Sequence, residues 1–369
     1  MNTKTKIGFI IEQALGHITH GKNLAQNISL DQTIEPFWGY PKQPQSGLMA
    51  LPGIRNWTLQ AGLQSNKALR DIASAGHQLD VIFFHTQVTA ILAQKWMAKI
   101  PSVVSLDATP MQYDSLGEFY EHESGPSWLE NFKFNKNKAC YQQAKRLVTW
   151  SDWAKQSLIK DYGISAEKIT VIPPGVNIDD WQPAENNQSP ETAPVKLLFV
   201  GGDLQRKGGL DLIEAFKAVK AEKPDAKIEL HLVTRNAPEP AEGMFVYTDM
   251  QPNSSELKAL YHQADIFCLP TYGDCLPMVL SEAAATKLPI ISTAVAAIPE
   301  IVQAGKGGLL VKPGAVHELK DAILRLLENR ADRIDMGEHA YNITKQNFDA
   351  QANAQQLFDL LKQVANHSL

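Results

Sequence analysis

Cysteine is scarce in this chain: Cys140, Cys268 and Cys275 are the only three in 369 residues. An odd and scattered set makes neither a disulfide framework nor a zinc site, so a reducing compartment is expected. No run approaches the ~18 apolar residues that mark a bilayer-spanning helix. The first apolar stretch, Ile7 to Ile11, stops at Glu12 and is too short for a signal-peptide core. A soluble, cytoplasmic protein is the expectation. Positive charge is also short: 35 Lys and Arg stand against 40 Asp and Glu, a net −5. A nucleic-acid binder needs a dense cationic face to neutralise phosphates, so that class is disfavoured. Neither G-x-G-x-x-G nor G-x-x-x-x-G-K-[ST] occurs, which removes dinucleotide binding and nucleoside triphosphate hydrolysis.

What is present is an ordinary globular composition, 44% apolar and 20% charged, at a length of two to three domains of roughly 150 residues each. Short apolar runs alternate with segments of helical period. Ile7–Ile11, Val81–Phe84, Ser102–Leu106, Leu147–Thr149 and Ile169–Ile172 read as buried strands in the first half. Lys196–Val200, Ile228–Val233, Phe245–Tyr247, Ile266–Leu269 and Pro289–Ser292 do so in the second. Strand followed by helix, repeated, implies α/β domains with parallel sheets. The stretch Gln182–Pro194 has no apolar period and is rich in Pro and Asn, so it reads as a linker. The expected division is therefore 1–182, a first Rossmann-like domain; 195–349, a second; and 350–369, a terminal helix returning to the first. Open parallel sheets bind ligands beyond the carboxyl ends of their strands, so two in tandem predict a central cleft with a hinge.

The strongest local signal is Phe199-Val200-Gly201-Gly202-Asp203-Leu204-Gln205-Arg206-Lys207-Gly208-Gly209, a strand that runs through glycines and two cations into a helix. Glycines admit an anion to the backbone, the helix start offers free N–H groups, and Arg206 and Lys207 add full charges. A phosphate or diphosphate is the expected guest. About 60 residues on, Leu269-Pro270-Thr271-Tyr272-Gly273-Asp274-Cys275-Leu276-Pro277-Met278 leads from a strand into a helix carrying Glu282. Taken alone, Asp274 would be a turn residue and Glu282 a solvated helix position.

Together these segments resemble the family 4 retaining glycosyltransferases of the GT-B fold, whose second domain carries a V-G-x-x-x-x-K-G turn and an E-(x)7-E element. Asp274 stands where that element has its first Glu, and Glu282 is its second. The series Ile172-Pro173-Pro174-Gly175-Val176-Asn177, Pro289-Ile290-Ile291-Ser292-Thr293, Ile298-Pro299-Glu300-Ile301-Val302 and Gly307-Gly308-Leu309-Leu310-Val311 extends the resemblance from about Trp150 to Pro313. It implies a donor diphosphate held by Gly202, Arg206 and Lys207 and by the N–H groups of Cys275, Leu276 and Met278. It further implies ribose hydroxyls on Glu282 and sugar hydroxyls on Asp274. In the first domain Gly16, in the loop after the first strand, would bring N–H groups to the diphosphate. Asp107 occupies a position where the family commonly has a His near the reacting centre. Thr234-Arg235 replaces a usual G-x-G at the end of Ile228–Val233, which changes one wall of the base pocket; Arg235 otherwise reads as a solvated strand end.

The activity so implied is transfer of a sugar from a nucleotide sugar to an acceptor hydroxyl of a glycan, lipid-linked or small molecule. Anomeric configuration would be retained through a front-face mechanism without metal or resident cofactor. No Asp-x-Asp or His cluster of ligand spacing lies near either signal, and no second carboxylate is placed as a covalent nucleophile. Nothing in the residues selects UDP, GDP or ADP. The alternatives are a nucleotide-sugar epimerase, a phosphorylase (against which the short chain counts), or a non-catalytic nucleotide-sugar-binding protein, suggested by the altered Asp107 and Asp274 positions. An aromatic, partly basic region spanning Phe119 to Phe134 would suit an acceptor lip or a peripheral membrane contact, but its mixed signs favour a buried helix and loop.

Overall fold

The computed structural model describes residues 4–14, 16–42, 56–116, 125–182 and 192–366. The chain forms two compact units: one runs to Pro174 and resumes with Ala350–Leu369, and the other takes Gly175–Asp349. The boundary therefore falls at Pro174/Gly175, ahead of the linker expected at Gln182–Pro194, most of which lies outside the described residues. The short helix Ile178–Trp181 goes with the second unit because Trp181 packs edge-on against Tyr261, with ring centroids 5.1 Å apart. Proline and asparagine content marks an exposed stretch but not where packing changes sides.

The first unit holds a six-stranded parallel sheet: β1 (Thr5–Ile10), β2 (Ile34–Gly39), β3 (Val81–Phe84), β4 (Ser102–Leu106), β5 (Arg146–Thr149) and β6 (Ile169–Val171). Their order is β2-β1-β3-β4-β5-β6. β3 and β4 are buried throughout, β3 as an unbroken apolar run and β4 with two serines among its apolar residues. Helices cover both faces. One core joins Ile82, Phe84, Val104 and Leu147 to Tyr141 and Tyr162. The other joins Phe9, Phe83 and Val103 to Leu357, Phe358 and Leu361 of the last helix, Ala350–Asn366. That helix spaces its buried residues by three and four, so one apolar stripe lies on the sheet.

The second unit holds β7 (Val195–Val200), β8 (Ile228–Val233), β9 (Met244–Tyr247), β10 (Ile266–Leu269), β11 (Ile290–Thr293) and β12 (Gly308–Val311), in the order β12-β11-β10-β7-β8-β9. This is the doubly wound order, in which successive connections turn back at one point. The first sheet reverses between β1 and β3, the second between β7 and β10. At such a reversal the loops leaving two adjacent strands part to opposite faces and open a crevice for a ligand.

Two strands are not apparent from apolar runs, β2 and β12. Both are sheet edges with only their end residues buried, and β2 contains Pro36, which an edge tolerates because no ladder bond is needed on its outer side. No described helix is long and apolar enough to cross a membrane.

Candidate active site

In the second unit the glycine turn after β7 is closed by its own backbone. Gly208 has φ +72°, and a Cβ there would stand 2.0 Å from the Pro270 carbonyl oxygen. Only glycine lets the turn after β7 approach the exit of β10 this closely. Tyr272 N–H donates to the Arg206 carbonyl at 2.9 Å, which ties the two exits together. The helix Gly209–Glu222 then begins, with Phe216 and Val219 packed beneath the sheet.

Across this reversal the two expected cations meet the expected carboxylate. Lys207 Nζ lies 2.7 Å from both carboxylate oxygens of Asp274. Arg206 Nη1 donates to the Gly273 carbonyl at 2.7 Å and lies 3.4 Å from Asp274 Oδ1. Thr271 Oγ1 donates to Asp274 Oδ2 at 2.9 Å and receives Gly273 N–H at 3.2 Å. These partners are 67 and 68 residues apart in the chain, and the strand order alone brings them side by side. Asp274 is the counter-ion of both cations.

Cys275, Leu276 and Met278 come next, as buried residues at the start of the helix Met278–Ala285. The Cys275 carbonyl receives Ala297 N–H. No backbone or side-chain partner is found for the N–H groups of Leu276 and Met278 among the described residues, and Pro277 between them has none to offer. Glu282, one turn into the helix, is buried rather than solvated and accepts the Tyr261 hydroxyl at 2.9 Å. Burial raises its carboxyl to about 7, against the opposing pull of Tyr261 and Lys258. Tyr261 is a site residue the sequence does not announce: it sits on Ser255–Gln263 with no motif around it, and only its fully buried hydroxyl marks it.

The first unit places a different cluster at its own reversal. Glu12, just beyond β1, accepts Thr86 Oγ1 and Trp57 Nε1, each at 2.5 Å, and Thr86 follows β3. Gly16 is exposed, a Cβ there would meet nothing within 4 Å, and it caps the start of the helix His17–Ile28. From that helix His17 and His20 reach toward His85 and Trp150, beyond β3 and β5; His85 Nε2 and His20 Nδ1 are 2.8 Å apart. His85 Nδ1 is buried without a partner. A bare lone pair there is less costly than a bare N–H, which puts the proton on Nε2 and makes His85 the donor to His20. Asp107, beyond β4, accepts Ala108 N–H at 2.9 Å and the Tyr113 hydroxyl at 2.6 Å, with His17 Nε2 3.8 Å away. A histidine therefore does stand beside this position, supplied by the helix after β1. Asp107 is marked by its place in the sequence, but Trp150, Tyr113 and the convergence of three imidazoles are not, because helix phase and strand order decide them.

The aromatic helix Ser127–Gln143 departs from the buried reading: Trp128 is 71% and Phe132 55% exposed. They lie one turn apart on its outer side, and Lys136 covers the Phe132 ring at 5.5 Å. Residues 117–124 of that region lie outside the described residues. Among the described residues no group of three His, Cys, Asp or Glu could hold a metal ion.

Burial sets the two units' responses to acid against each other. Burial, reinforced by the neighbouring His17, pushes His20 down to about 3, and burial with His20 and His17 holds His85 well below its usual range. The unfolded chain protonates these imidazoles near 6.5 while the fold does not, so first-unit stability is full above 6.5 and is lost progressively as pH drops below it. Glu282 has the opposite sign. Its proton is kept in the fold up to about 7, so its contribution is full below 4.5 and is lost as pH rises from 4.5 to 7. Calorimetry between pH 7 and 5 should show these groups separating the two unfolding transitions. Glu282→Gln should remove the second unit's share of that shift; an unchanged shift would refute the assignment.

Two family models match this chain: Glycosyltransferase Family 4 over residues 36–180 and Glycosyl transferases group 1 over 194–329. A D-inositol 3-phosphate glycosyltransferase of Pseudarthrobacter chlorophenolicus is 27% identical over 213 residues, 53% of this chain and 51% of the relative. The chain thus spans about half the length of the curated relatives it matches. Sucrose-phosphate synthase from Thermosynechococcus elongatus superposes with a TM-score of 0.77 at 18% identity, covering 98% of this chain and 99% of that one. Anabaena HepE, solved in complex with UDP-glucose, gives 0.67 at 17%, covering 97% and 99%. Two parallel six-stranded sheets and two adjoining family matches lead to one assignment: the chain belongs to the group 1, family 4 glycosyltransferases and has their GT-B fold.

Proposed function

We propose that the protein transfers a sugar from a nucleoside-diphosphate sugar to an acceptor hydroxyl, with retention of anomeric configuration and without a divalent metal or resident cofactor. The observation that carries this reading is the pairing of Lys207 and Arg206 with Asp274 across the β7–β10 reversal, beside the unpartnered N–H groups of Leu276 and Met278. In this reading the incoming diphosphate displaces Asp274 from the two cations, and Asp274 turns to the donor-sugar hydroxyls. Gly202 and the N–H groups of Cys275, Leu276 and Met278 line the diphosphate, and Glu282, steadied by Tyr261, takes the ribose hydroxyls.

The acceptor oxygen attacks the anomeric carbon from the face the nucleotide leaves. A new carbon–oxygen bond forms as the bond to the β-phosphate breaks, and the acceptor proton passes to a phosphate oxygen. Arg206 and Lys207 stabilise the charge that grows on that phosphate, a role fixed cations fill without reorganisation. Asp107, accepting from two donors and flanked by His17, is suited to a hydroxyl of the acceptor or the donor sugar. HepE was solved with UDP-glucose, which makes UDP-sugars the first donors to try here.

The test is a thermal-shift screen of UDP-, GDP- and ADP-sugars, then nucleotide release with and without acceptors. A ligand at 100 times its Kd stabilises by about 2.7 kcal/mol, ample to detect. Binding with no release under any acceptor would leave a binding protein and sink the transferase reading. Arg206→Ala should weaken the best nucleoside diphosphate by about 1.5–3 kcal/mol, the scale of a hydrogen bond to a charged group. An unchanged Kd by titration calorimetry would remove the phosphate from this turn.

A further inference from the structure

We propose that Arg235 is a third cation of the donor site and grips the diphosphate from the β8 side, an inference that rests on the nucleotide-sugar reading. Arg235 follows β8, the neighbour of β7 on the side away from β10. Its side chain is exposed but runs back over the neighbouring glycine turn rather than away from it. A Cβ on Gly202 would stand 3.0 Å from Arg235 Nε and 3.4 Å from both Cγ and Cδ, so the side chain lies along the glycine and toward the β7–β10 reversal. The missing side chain at Gly202 is what leaves room for it.

Charge gives the crossing its meaning. Arg206 and Lys207 are both paired with Asp274. Arg235 has no ion-pair or hydrogen-bond partner among the described residues and is exposed. It is therefore the uncompensated cation of the turn, placed to meet an anion before the Asp274 pairs open. Beside it, Thr234 Oγ1 is buried with no partner while its N–H is fixed on the Tyr247 carbonyl at 3.0 Å. A hydroxyl left unsatisfied in an otherwise well-bonded strand end marks a place that a polar guest completes. A planar guanidinium can hold two phosphate oxygens at once, which a lysine at the same position could not.

The experiment measures Kd by titration calorimetry for UDP, GDP, ADP and their nucleosides on wild type, Arg235→Ala, Arg235→Lys and Arg206→Ala. For the diphosphate that binds best, Arg235→Ala should raise Kd about tenfold, an effect shrinking as salt is raised, with Arg235→Lys intermediate and the nucleoside unaffected. Arg235 is exposed, so melting temperature should stay constant and separate this loss from misfolding. A normal Kd in Arg235→Ala with a weakened Arg206→Ala would overturn the proposal and leave the donor site standing. Equal loss for nucleoside and diphosphate would place Arg235 on the base and also overturn it. If wild type binds none of the diphosphates, the donor reading falls and takes the proposal with it.

Discussion

Gly208→Ala should destabilise the second unit by about 3 kcal/mol or more and abolish nucleotide binding. Two costs add. A left-handed residue other than glycine costs about 1–2 kcal/mol. The new methyl would also sit 2.0 Å from the Pro270 carbonyl oxygen, and backbone cannot rotate away as a flexible side chain does. Either the turn after β7 lifts, taking Arg206 and Lys207 with it, or the β10 exit retreats, taking Thr271 and Asp274. Both break the Lys207–Asp274 pair. Gly16→Ala is the contrast: φ is −62° and nothing lies within 4 Å, so stability should change by no more than about 0.5 kcal/mol. Calorimetry resolving two transitions checks both. A Gly208→Ala protein with a normal second transition would show that the close approach is not built into the fold.

Asp274→Asn should move binding and turnover in opposite directions. The carboxylate now occupies the cations that a diphosphate needs, so removing its charge frees Lys207 and Arg206 and should tighten nucleoside-diphosphate binding several-fold, most at low salt. Transfer should nevertheless fall by about 100-fold or more, the scale seen when one oriented polar group is taken from a transition state. The fall belongs in kcat more than in KM if Asp274 meets the sugar only as the reaction proceeds. Calorimetric Kd and initial rates on the same preparation decide it. Weaker diphosphate binding would make Asp274 a positioning residue for Lys207 rather than a competitor of the ligand.

Much of the second unit is legible in the chain because its signals are local. A strand, two glycines and two cations identify one turn, and the Asp274 to Glu282 interval identifies another. Strands β3 and β10 stand out because burial on both faces demands unbroken apolar runs, whereas the edges β2 and β12 carry no such demand. The first unit is harder to read. Its cluster draws Glu12, His17, His20, His85, Asp107 and Trp150 from segments up to 138 residues apart, none with a motif of its own.

The α/β class, the family, and the side chains able to handle a phosphate can all be read from the linear chain, because strand burial and a glycine-cation turn depend on near neighbours. What those side chains do to one another is a property of the folded molecule. Asp274 is the counter-ion of Lys207 and Arg206, Glu282 is buried under Tyr261, and Arg235 lies along Gly202. These relations come from the order β10-β7-β8, and strand order is set by how helices pack on a sheet, a sum over distant contacts that no local pattern records.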